Sequence, residues 1–282
     1  MKCHKIKYAA ALLSVASINA NATLSSVDNG LGVYDSALNV TWTSDANLLG
    51  TLESQQGYDT VINAIIASSS VIHDKPNGYD NGGSGIYNVS TSDFSSGGFV
   101  SWFGAEAFVN YLNNIEYGNS NQWALPTTTP DNHLSVGYNR TSSQLGELYY
   151  NELNALAYPD SNGFNFGILG DGSIGTSGNA GPFTNVQTSV YWSDTEYSYH
   201  TGLAWDFGTL NGLQGTSIKT YQNYAWAVTP EQMNAIPVPG AVWLFGTGMV
   251  GLLSLQRRGH AGGLTALGRL TLLEGSNGPI AP

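Results

Sequence analysis

The sequence predicts a mixed α+β domain, and three observations point that way. Apolar residues recur at helical spacing in three stretches, 57–68, 101–114 and 143–157. Short aromatic or alternating segments read as strands before the first of these and after the last. Gly-, Asn- and Ser-rich runs separate the elements, as long loops would.

Taken in order, Val33-Tyr34-Asp35 and Val40-Thr41-Trp42 read as a hairpin with Ser36 to Asn39 as its turn. Gly57 to Ser68 places Tyr58, Val61, Ile62, Ile65 and Ile66 on one helical face. Residues 74–98 carry few apolar anchors and read as a loop or insertion. Ser101 to Asn114 is a second helix, with Trp102, Ala105, Phe108, Val109 and Leu112 inward. Gln122 to Pro126 is a short extended element stopped by proline, followed by polar loop over 127–141. A third helix is expected from Ser143 to Ala157, capped by Ser143, with Glu147 near its start and Leu145, Leu148, Tyr149, Leu153 and Leu156 facing in. Residues 158–188 are Gly-rich and irregular. Three strand signals close the domain: Val190 to Ser193, Leu203 to Phe207 and Tyr224 to Val228, with Asn211-Gly212 as a tight turn after the second.

The two ends carry targeting signals. Lys2, His4, Lys5 and Lys7 precede an apolar run from Tyr8 to Ile18, and Ala20-Asn21-Ala22 has the small-x-small form of a signal-peptidase site. Residues 1–22 are therefore a signal peptide, with cleavage before Thr23. Cys3 leaves with it, so the exported chain has no cysteine and needs no disulfide framework. Such a chain must fill its core with large apolar bodies, and Trp42, Trp123, Trp192 and Trp226 are the expected ones. At the other end Ile236-Pro237-Val238-Pro239 leads into an apolar run, Ala241 to Leu255, and then Arg257-Arg258. Prolines stop the preceding fold, the run enters the bilayer, and the arginines stay on the cytoplasmic side. Residues 236–258 resemble the PEP-CTERM sorting tail of exopolysaccharide-producing Gram-negative bacteria, with Val238 in place of the Glu that names the family. The resemblance implies a hydrophobic sorting helix. It also implies transient anchoring in the inner membrane, cleavage by an exosortase near Pro237 and Pro239, and display at the cell surface or in the matrix. Residues 259–282 continue past the basic pair and have no assignment.

Between Thr23 and Ala235 three basic side chains, Lys75, Arg140 and Lys219, face nineteen acidic ones, a formal charge of −16. That balance repels nucleic acid and anionic lipid, and is compatible with divalent cations and neutral glycans.

The order of motifs over residues 31–229 is itself distinctive. Asp35, Thr41 and Trp42 come first, then Trp102, Ala105 and Leu112 on a helix, and Trp123, Leu125 and Pro126. Glu147 and Leu153, then Tyr191-Trp192-Ser193 and the run from Tyr224 to Val228, complete the series. This looks like the Lcl C-terminal-like domain, with Ala124 where that family has Arg. The resemblance implies a C-type-lectin-like fold over 23–235: a small antiparallel sheet, about three helices and long functional loops. It implies adhesion or glycan binding, and no catalytic residues.

Two candidate sites follow. Asp74, Asn77 and Asp80 surround a turn and could supply oxygens to Ca²⁺, which needs several such ligands on a flexible loop; Asp160 to Gly163 and Asp171-Gly172 are weaker versions. Asp194, Glu196, Tyr197 and Tyr199 lie between two strand signals and combine carboxylates with rings, which suits sugar hydroxyls and sugar faces. No Gly-x-Ser-x-Gly or His-Glu-x-x-His occurs, and His133 and His200 lack metal-type spacing. Glu147 and Glu152, five apart on a helix, would point in different directions and make a poor acid pair. The expectation is an exported, non-catalytic surface protein that binds exopolysaccharide or acts in adhesion and biofilm. A passive matrix component and a carbohydrate-active enzyme are the alternatives.

Overall fold

The structure is a computed structural model that describes residues 23–129, 136–158 and 180–230. Residues 1–22, read as a signal peptide, residues 236–258, read as a sorting segment with Pro237, Pro239, Arg257 and Arg258, the tail 259–282, His133, and the weaker turns at Asp160 and Asp171 lie outside the described residues.

The chain starts as an antiparallel meander of β1 (Leu24–Val27), β2 (Gly32–Asp35) and β3 (Val40–Thr43), with Leu24 opposite Asp35 and Asp35 opposite Val40. The expected hairpin forms because Asp35 takes the N–H groups of Ala37 and Leu38, and Asn39 closes the turn at φ 53°. Helix α1 (Leu48–Gln56) follows, capped by the Asn47 side chain on the Gly50 N–H. It has too few apolar positions to announce itself in sequence. Gly57 at φ 92° breaks it from α2 (Tyr58–Ser68), which buries Val61, Ile62 and Ile65 as expected.

Residues 74–98 are more structured than a bare loop. β4 (Val71–His73) pairs with β5 (Ile86–Asn88) across a turn, and β6 (Phe94–Ser95) pairs with β7 (Phe99–Val100). Val89, Asp93 and Phe94 are buried there, and a Ser90–Asp93 capping box orders the bend. Helix α3 (Trp102–Asn114) begins at the Ser101 cap and buries one face against α2 and the sheets. Helix α4 (Gln144–Glu147) is capped by Ser143 but runs into a π turn over Leu148–Glu152. It stops well short of Ala157. Asn154 turns left-handed at φ 52°, and Leu156, expected inside, is exposed.

β8 (Val190–Glu196), β9 (Leu203–Gly208) and β10 (Gln214–Ile218) form an antiparallel sheet in the order β10-β9-β8. β10 lacks large apolar residues before Ile218 and gave no strand signal. The last aromatic run becomes a strand only at β11 (Val228–Thr229), where Val228 pairs with Trp42 of β3. The two ends of the described domain therefore share one sheet, ordered β1-β2-β3-β11.

The fold is thus α+β with small antiparallel sheets and four helices among the described residues. All four expected core tryptophans are buried, and their indole N–H groups find acceptors: Trp42 on Asp35, Trp226 on Thr43, Trp192 on Val100 and Trp123 on Tyr117. No helix among the described residues is long and apolar enough to cross a membrane.

Candidate binding site

The two candidate stretches, far apart in sequence, come together around Lys219. This lysine follows β10 directly and is fully buried. Its Nζ lies 2.5 Å from Asp74 Oδ2, 3.0 Å from Glu196 Oε2 and 4.3 Å from the centre of the Trp102 ring. Its backbone is held on both sides, donating to Gly202 O and accepting from the Trp102 N–H. The backbone N–H of Lys75 also donates to both Glu196 oxygens at 3.2 Å, and the Thr201 hydroxyl donates to Pro76 O at 2.7 Å. The loop 74–85 is thereby fastened to the tip of the β8–β9 hairpin. Tyr79 lies against Gly202, where an added Cβ would meet its ring at 2.8 Å.

Within that loop one oxygen of each candidate metal ligand is taken up by the protein. Asp80 Oδ2 accepts the N–H groups of Asn77 (3.0 Å) and Gly85 (2.7 Å). Burial opposes its ionisation, but the N–H groups of Asn77, Gly85, Gly83 and Ser84 outweigh it and hold the carboxyl below the usual carboxylate range. Asn77 turns its amide NH₂ to Asp74 and to Lys75 O, and its carbonyl accepts from the Tyr79 N–H. Asp74 belongs to Lys219. The five side-chain oxygens of Asp74, Asn77 and Asp80 fall short of the roughly six to eight that Ca²⁺ takes. Among the described residues no group of three or more His, Cys, Asp or Glu is arranged to hold a metal ion. The trio builds the loop.

The four residues of the other candidate divide. Glu196 is largely consumed by Lys219 and Lys75. Asp194 anchors β8 through its N–H on Pro126 O. Burial raises Glu106 well above the ordinary range, the Asp194 and Glu196 charges add to this, and Lys219 opposes it. Burial likewise raises Asp194, although the residue itself reaches the surface. Tyr197 is half-buried, its ring edge-on to buried Trp205 at 5.4 Å and 5.6 Å from Tyr199. Tyr199 is 60 % exposed and is the ring most open to a ligand.

Sequence reasoning missed Lys219, Glu106 and Tyr79. Only the scarcity of basic residues hinted at Lys219, since a lysine is rarely buried unless paired. Glu147 and Glu152 take different neighbours, in line with the reading that they make a poor acid pair. The π turn brings Glu152 to Asp35, and burial, then the Asp35 and Glu147 charges, raise its carboxyl to about 7. Glu147 instead accepts the Asn151 amide. No protein-family model matches the chain, and no curated protein or solved structure matches it either.

Proposed function

We propose that this is an exported, non-catalytic bacterial surface protein whose lectin-like domain binds exopolysaccharide through the β8–β9 hairpin tip. The observation that carries the reading is an exposed ring on a braced scaffold. Tyr199 stands on a tip fixed from below by the buried Lys219–Asp74–Glu196 cluster and from the side by Tyr197 on Trp205. Rigid positioning of an aromatic face is what a sugar ring needs, because little ordering entropy is then lost on binding. The net formal charge of −16 over residues 23–235 favours a neutral glycan over a polyanion. The resemblance to the Lcl C-terminal-like domain supports a C-type-lectin-like arrangement. The Pro237–Arg258 segment supports sorting by an exosortase after signal-peptidase cleavage and passage through the inner membrane.

The test is retention of the secreted chain on exopolysaccharide purified from the cells that make it. Tyr199→Ala should lower retention at an unchanged melting temperature. Wild-type protein that passes through unretained would leave the passive matrix component as the surviving reading.

A further inference from the structure

We infer that Lys219 and Asp74 condense into an intramolecular amide, a covalent staple between loop 74–85 and the end of β10, with Glu196 carrying the proton. The ion pair described above is the reactant. The staple is independent of what the hairpin tip binds.

The two reacting groups are already in contact and closed off from water. Lys219 Nζ lies 2.5 Å from Asp74 Oδ2, an oxygen bonded to the carbon that the amine must attack, and both side chains are 0 % exposed. Neither residue is free to drift. Lys219 is held through its backbone to Gly202 and Trp102, and the Asp74 N–H donates to Gly85 O at 3.2 Å. Groups held in this way react as if at effective molarities of about 10⁵–10⁸ M, which opens a condensation too slow between free partners. The walls are apolar: the centres of the buried Trp102 and Phe103 rings lie 4.3 Å and 5.5 Å from Nζ. Two buried charges carry a desolvation cost that a neutral amide does not, and exclusion of water protects the amide from hydrolysis.

The hydrogen bonds suit the product better than the ion pair. Asp74 Oδ2 accepts the Asn77 amide at 2.7 Å, a bond that the new carbonyl keeps. Glu196 Oε2, 3.0 Å from Nζ, is the acceptor for the new N–H. Asp74 Oδ1 is sealed from solvent with no partner. As half of a carboxylate it is a costly orphan, and as the leaving oxygen it is removed.

The step balances. Glu196 takes one proton from the ammonium, and the freed amine attacks Asp74 Cγ. The C–N bond forms and the bond from Cγ to Oδ1 breaks. Of the three ammonium protons, one stays on the amide nitrogen and two leave with Oδ1 as water, one of them by way of Glu196. The positive and negative charges cancel, and nothing is oxidised or reduced. The Glu196 side chain is 14 % exposed, so the water has its exit beside it. Cys3 is the only cysteine, so residues 23–235 hold no disulfide. An amide between residues 145 apart would restrict the unfolded chain in its place.

The experiment is peptide mapping by mass spectrometry on the full chain, purified from cells and unfolded in urea before chymotryptic digestion. Wild type should yield one branched peptide joining the Asp74 and Lys219 segments, lighter by one water than the two apart. Asp74→Asn should yield a branched peptide of the same mass, since the same amide then forms with loss of ammonia. Asp74→Ala and Lys219→Arg should yield the segments unjoined. Glu196→Gln, which keeps an acceptor for Nζ but cannot take its proton, should leave most of the chain unjoined. The wild-type digest is decisive without any variant, so a variant that does not fold leaves the test intact. Wild-type segments recovered only apart would overturn the proposal and leave a permanent ion pair. A branched peptide as abundant in Glu196→Gln as in wild type would overturn the part given to Glu196.

Discussion

The cluster around Lys219 and the cluster around Asp35 both bury carboxylates, by opposite means. Asp35 is fully buried, and no basic side chain among the described residues pairs with it. It accepts the N–H groups of Ala37 (3.0 Å) and Leu38 (3.1 Å) and the indole N–H of Trp42 (3.2 Å). Neutral dipoles hold its charge. Asp74, equally buried, is held instead by an ammonium that also serves Glu196. A domain with three basic residues cannot pair nineteen acids. The difference teaches where the scarce lysine is spent. A turn supplies its local acid with N–H groups alone, whereas the contact between loop 74–85 and the hairpin tip adds the cation to the Lys75 N–H.

The comparison breaks most visibly at Lys219. Lys219→Met leaves Asp74 buried and unpaired, and should cost about 3–5 kcal/mol in chemical denaturation. It should also lower glycan retention, since loop and hairpin lose their common anchor. A cost below about 1 kcal/mol would mean that the ammonium contributes no more than a surface pair does. At the dipole-held site, Asp35→Ala orphans the Trp42 indole N–H and two turn N–H groups. The expected cost is about 1–3 kcal/mol, with retention unchanged by the hairpin tip.

This contrast also explains what could be read from the sequence. The Asp35 turn was legible because its donors lie within seven residues of the acid, and the hairpin, α2 and α3 were legible because their apolar spacing is local. α1 was silent, as only Leu48 and Leu49 are buried apolar positions in it. β10 was silent because Gln214, Gly215, Thr216 and Ser217 carry no strand pattern and owe their pairing to β9. The third helix misled because α-helical and π spacing differ by about one residue per turn, which turned Glu152 toward Asp35 and left Leu156 outside. The candidate site was legible only in its halves. Asp74 and Lys219 are 145 residues apart, and no spacing rule links them.

Protonation sharpens the comparison further. Burial lifts Glu152 to about 7, helped by the Asp35 and Glu147 charges, and lifts Asp206 to about 6 against the Ser217 hydroxyl and the Gly215 N–H. Both folded values lie above the ordinary carboxylate range. The stability they contribute is fully present at pH below about 4 and is lost as pH rises through about 6 and 7. Thermal melts should therefore fall between pH 5 and 8, and Glu152→Gln should flatten the upper part of that fall. A Glu152→Gln slope equal to wild type would place the proton elsewhere. Asp80 has the opposite sign. Its lowered carboxyl contributes stability at neutral pH that disappears on acidification, so Asp80→Asn should lose stability at pH 7 and little at pH 2.

The smallest effect is that of salt. The Debye length shrinks from about 10 Å at 0.1 M to about 3 Å at 1 M, which weakens interactions between exposed charges and leaves buried pairs nearly untouched. Residues 23–235 carry a formal −16, so their exposed carboxylates repel one another, and NaCl should raise wild-type stability slightly. The side chains of Lys219 and Asp74 are both 0 % exposed and do not share in that screening. The stability difference between wild type and Lys219→Met should then be the same at 0.1 M and 1 M NaCl to within about 0.5 kcal/mol. A difference that shrinks markedly with salt would show the pair to be solvated, and the distinction between a cation-held and a dipole-held acid would lose its physical basis.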